Sequence, residues 1–85
     1  MRIVIVCDVK DVDAFMGHRA ERQANISKFA DDIIEYVIDG ANKIAVSCNV
    51  INVGLMEATM SSESTKAEMV RHGVLPDTVQ TYFER

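Results

Sequence analysis

Three carboxylates, Asp8, Asp11 and Asp13, follow directly on a cysteine, Cys7. Carboxylate oxygens at such short spacing could hold Mg²⁺ or Ca²⁺, and an aspartate at the end of a strand is where a hydrolase or nuclease could seat its metal. The spacing lacks the glycine and the closing glutamate of a calcium-binding loop, however. Asp11 or Asp13 would serve equally well to cap a turn or a helix start. Cys7 could serve phosphate chemistry, but that needs backbone N–H groups or an arginine aimed at the anion. Three neighbouring carboxylates would repel phosphate and push the thiol pKa up. His18 and His72 show no ligand spacing with Cys7 or Cys48 and are expected at the surface.

No glycine-rich phosphate loop occurs anywhere in the chain. Residues 65–85, TKAEMVRHGVLPDTVQTYFER, resemble a helix-turn-helix in part. Gly73 and Val74 suit its turn, and Pro76 and Thr78 suit the start of a second helix, with Val79 packed inward. Glu68 and Met69 depart from that motif, and Gln80, Thr81 and Arg85 are the only candidate readers. Over 62–85, three Lys/Arg (Lys66, Arg71, Arg85) face four Asp/Glu (Glu63, Glu68, Asp77, Glu84), so phosphate neutralisation is missing.

Composition narrows the class. Eighty-five residues, 48% hydrophobic and 26% charged, make one small domain over 1–85 with an ordinary globular balance. A net charge of −4 disfavours nucleic acid as a partner. No apolar run approaches the roughly 20 residues of a membrane span, and no signal-peptide pattern opens the chain. Buried free thiols at Cys7 and Cys48 would suit a reducing, cytoplasmic setting.

The elements that must position these groups follow from periodicity. Arg2–Asp8 reads as a strand apolar on both faces, hence in need of cover on both. From His18 to Asp39, Ile26, Phe29, Ala30, Ile33, Ile34, Val37 and Ile38 recur at spacings of three and four, which predicts a long amphipathic helix stopped by Gly40. Lys43–Val53 alternates as a second strand, with Ile44, Val46, Cys48 and Val50 on one face. Residues 54–62 fit either strand or helical turn. A capping box at Thr65 and Glu68 starts a helix ended by Gly73, and Pro76 starts a last helix carrying Val79, Tyr82 and Phe83.

The expected fold class is therefore α/β, a small β-α-β unit with a long amphipathic crossover helix and a two-helix C-terminal hairpin. Strands so connected would be parallel. One chain hardly covers both faces of the first strand. The long helix would also carry Arg19, Arg22 and Lys28 in one half and Asp31, Asp32, Glu35 and Asp39 in the other, against its dipole. A homodimer pairing opposite halves follows. With no catalytic constellation, the expected function is a non-enzymatic inhibitor or adaptor working through contact with a protein partner, without cofactor or metal. Its contact residues would be Arg19, Arg22, Asp32, Glu35, Met56 and Met60. The alternatives are a DNA-binding regulator using residues 65–85 and a metal-dependent hydrolase using Asp8, Asp11 and Asp13.

Overall fold

The structure is a computed structural model and describes residues 1–38 and 40–85. β1 (Arg2–Asp8) is followed by two short helices, α1 (Val12–Gly17) and α2 (Arg19–Ile26). Then come β2 (Ala30–Val37) and β3 (Lys43–Val50), a second helix pair, α3 (Val53–Met60) and α4 (Glu63–Arg71), and a 3₁₀ turn over Pro76–Thr78. β4 (Gln80–Phe83) closes the order. The four strands lie in the order β2-β3-β1-β4, and every neighbouring pair is antiparallel. β1 and β2 thus run parallel with β3 between them, and β3 and β4 run parallel with β1 between them. This is the split β-α-β unit used twice, the ferredoxin-like arrangement.

Mixed helix and sheet in a small chain is as the sequence implies, but the finer plan differs. The long helix over 18–39 does not exist: α2 ends at Ile26, and residues 30–37 are strand. Asp39, counted in its acidic half, lies outside the described residues. The last predicted helix is a 3₁₀ turn followed by β4, so there is no two-helix hairpin at the end and no helix-turn-helix. β3 stops at Val50, and 53–60 is helical.

Local chemistry sets the boundaries. Asp11 caps α1 by accepting from the Asp13 amide at 3.0 Å, Asn52 caps α3 through the Leu55 amide at 3.0 Å, and Ser62 caps α4 through the Thr65 amide at 3.2 Å. The capping box at Thr65 is therefore superseded by one turn's earlier start at Ser62. Gly73, at φ 84°, reverses the chain after α4 where a side chain would be strained, and its carbonyl accepts from the Lys10 amide.

All helices pack on one side of the sheet. Ile3, Ile5 and Cys7 of β1 and Ile44, Val46 and Cys48 of β3 face them, with Phe15 of α1, Phe29, Met56 of α3 and Val74 filling the layer. By the strand register, Val4 and Val6 point to the opposite face. There Ile34, Ser47, Val4 and Tyr82 form one cross-strand row, and Tyr36, Ala45, Val6 and Gln80 the next. Tyr36 and Tyr82 are about half exposed, and Ile34 is also classed as exposed. No described element covers this face.

Candidate functional site

Between sheet and helices lies a cavity of about 80 Å³. Its floor is Ile5, Cys7, Val46 and Cys48, and Phe15, Met60 and Met69 close its sides. Burial pushes the Cys7 thiol up to about 11, helped by the charge of Asp8; burial also raises Cys48. Neither sulfur is a nucleophile at neutral pH. The floor is inert and apolar, so any chemistry must come from the rim.

The rim carries two buried polar side chains, Arg22 and His72, exposed by 7% and 2%. Arg22 sits on α2 facing β2. Its Nε and Nη2 donate to the two carboxylate oxygens of Glu35 at 3.0 and 2.5 Å, its Nη1 donates to the Phe15 carbonyl at 3.1 Å, and the guanidinium lies 3.6 Å from the Phe15 ring centre. The bidentate geometry is what a buried arginine needs to compensate desolvation.

His72, the residue ending α4, lies between this arginine and a carboxylate. Its Nδ1 is 3.4 Å from Arg22 Nη1, which can only donate. Its Nε2 is 3.2 Å from Glu21 Oε2, which accepts. Those two partners select the tautomer with the proton on Nε2 and the lone pair on Nδ1. Arg71 donates to the other oxygen of Glu21. That bond, then the one from His72, holds the Glu21 carboxyl below its ordinary value. The order across the rim is Glu35, Arg22, His72, Glu21, Arg71: acid and base alternate on either side of the imidazole.

The His18 ring stacks on His72 with centroids 4.3 Å apart and planes 10° from parallel. His18, Glu21 and His72 bring their ligand atoms within 4.8 Å of one another, the nearest approach to a metal-binding group among the described residues. A shared ion must lie in the plane of each ligating ring, and no nearby point lies in two stacked, nearly parallel planes. The Nε2 proton on His72 opposes ligation as well. As arranged, the trio does not aim its donors at one shared ion.

The residues singled out from sequence are scattered. Asp8 pairs with Lys43 at 2.5 Å and Asp11 caps α1, so Asp8, Asp11 and Asp13 form no metal loop; the hydrolase alternative is corrected on that ground. Arg22 and Glu35 bind each other beneath the helices, Glu35 with its side chain 1% exposed. Asp32 pairs with Arg2 at 2.6 Å, Met56 is buried in the core, Met60 lines the cavity, and Arg19 is exposed on α2. His72, expected at the surface, is buried. No sequence spacing joins it to Arg22, 50 positions away. The available signal was Gly73, whose turn tucks the preceding residue inward.

No family model and no curated protein matches the sequence. Solved structures do match its shape. SnoaB, a cofactor-independent oxygenase from Streptomyces nogalater, superposes with a TM-score of 0.68 at 10% identity, over 99% of this chain and 91% of its own. A conserved protein from Methanosarcina mazei Go1 gives 0.67 at 16% identity, over 99% and 91%. An antibiotic biosynthesis monooxygenase gives 0.58 at 12% identity, over 100% and 99%. At such identities the likeness shows the fold alone. Yet it is a fold of proteins described as monooxygenases, joined here to a cavity with a polar rim. That overturns the expectation of a non-enzymatic inhibitor or adaptor acting through protein contacts.

Proposed function

We propose that this protein is a small cofactor-independent oxygenase, in which His72 removes a proton from an apolar, oxidisable substrate lodged between sheet and helices. The observation that carries the reading is the His72 ring at the cavity wall, with Glu21 on its Nε2–H; the long 3.4 Å contact of Arg22 Nη1 with Nδ1 opens when Nδ1 takes the substrate's proton. A carboxylate behind an imidazole orients it and stabilises the imidazolium formed on proton uptake. Arg22, beside Nδ1, offers a fixed positive charge to the anion left behind. Such an anion is electron-rich enough to react with dioxygen directly. For an activated methylene the sum is R–CH₂–R′ + O₂ → R–CO–R′ + H₂O. The carbon supplies all four electrons, so no outside reductant enters. The likeness in fold to SnoaB, a cofactor-independent oxygenase, and to an antibiotic biosynthesis monooxygenase favours this reaction class.

A second copy of the chain belongs to the same proposal. The uncovered sheet face presents Val4, Val6, Ile34, Tyr36 and Tyr82, a contiguous apolar patch of the kind that marks an interaction surface. Isologous packing of two such faces would bury those side chains and leave both cavities on the outside. No helix among the described residues is long and apolar enough to cross a membrane; with two free buried thiols, a cytoplasmic setting is part of the proposal.

Oxygen uptake and a 14 Da product mass gain, measured over phenols and activated methylene compounds, test the reaction. Turnover by the wild-type chain that falls at least a hundredfold in His72→Ala, with circular dichroism unchanged, is expected. Equal turnover in the two proteins would refute the role of His72.

A further inference from the structure

With the cavity taken as the reacting site proposed above, we propose that the ligand has two parts: an apolar body for the cavity and a neutral, hydroxyl-rich arm for the groove beside it. The groove, of about 470 Å³, runs between α2 and the α3–α4 pair. It is several times the size of the cavity, and the two share the walls Asn25, Thr59, Thr65 and Glu68. The two compartments are therefore neighbours across one shared wall.

The chemistry changes sharply across that shared wall. On the cavity side stand Ile26, Phe29, Met60 and Met69; on the groove side stand Lys28, Ser62, Ser64 and Arg71. The charges of the groove are Glu21, Glu68, Lys28 and Arg71, two acids against two bases. Glu21 is matched by Arg71. An anionic arm would meet Glu68, and a cationic one would meet Lys28. A neutral arm with several hydroxyls meets neither penalty and can exchange hydrogen bonds with the Ser and Thr hydroxyls and both ions. Asn25 donates to Glu68 at the boundary, so this bond must open for a ligand to span both compartments. The cavity alone is smaller than the roughly 150 Å³ that admits benzene in an engineered case. Met60 and Met69, being unbranched, can yield to a single ring.

The test compares three probes sharing one ring: phenol, phenyl β-D-glucopyranoside and phenylacetate. Binding is followed by amide chemical shifts of the full chain, in wild type, Lys28→Ala and Ser64→Ala. The expected result is that the glucoside binds about tenfold tighter than phenol and phenylacetate, as two or three added hydrogen bonds allow. Each substitution should weaken the glucoside about threefold and leave phenol unchanged. Equal affinity for all three probes, or tightest binding of phenylacetate, would overturn the two-part ligand; phenol shifts at Ile5 and Val46 would still support the cavity as a binding site. If no probe shifts any amide, both the two-part ligand and the cavity site fall.

Discussion

Arg22 and Glu35 meet through two hydrogen bonds, at 3.0 and 2.5 Å, across the gap between α2 and β2, with the carboxylate side chain 1% exposed. Removing one partner leaves the other charged, buried and unmatched. Glu35→Gln and Arg22→Ala should each cost about 3–5 kcal/mol of folding stability. Arg22→Lys should recover only part, because an ammonium cannot span both oxygens. Urea denaturation of the four proteins reads this directly; losses below about 1 kcal/mol would show that the pair is solvated.

Glu21 gives an acid-side prediction. Arg71 and His72 hold its folded pKa below the ordinary 4.5, so folding releases a proton near that value. The stabilisation is complete above pH 4.5 and is lost as pH falls through the lower, folded pKa. Melting temperature should therefore drop below about pH 4.5 more steeply in wild type than in Glu21→Gln. Parallel curves would remove Glu21 from the linkage.

Cys7 and Cys48 should resist thiol reagents in the folded protein. With the Cys7 thiol near 11 and both sulfurs buried, labelling at pH 8 should track unfolding rather than thiolate chemistry. Adding denaturant should raise the labelling rate in step with loss of circular dichroism. Rapid labelling of the native chain would contradict the burial.

Self-association should depend on the open sheet face. Tyr36→Lys combined with Val6→Lys places two charges in one cross-strand row and should halve the mass seen by light scattering. A wild-type chain that stays monomeric at about 100 µM would end the homodimer proposal, since proteins of specific assembly bind well below that.

The two central strands were legible because their chemistry is redundant. β3 alternates Ile44, Val46, Cys48 and Val50 against small or polar residues, and β1 is apolar from Ile3 to Cys7. β2 was misread for a physical reason. Its outer face carries Ile34 and Tyr36, its inner face Ile33 and Val37, and a register shift between Asp31 and Ile34 breaks the two-residue period. Asp32 sits at φ 50° in that bulge. What remains is apolar residues spaced by three and four, the signature of a helix. β4 was hidden because Pro76 opens a helical turn that lasts three residues. The rim of the cavity was not legible: Glu21, Arg22, Glu35 and His72 come together only through the packing of α2, β2 and α4.

β1 pairs Ile3 with Cys48 on one side and with Phe83 on the other. β1 is thus completed only by a strand some eighty positions further along the chain. Loop closure over some eighty positions precedes any reward from that pairing, an entropic cost that the local helix contacts do not carry. During synthesis the apolar edge of β1 waits open beside β3, a period in which another strand, or a chaperone, can compete for it.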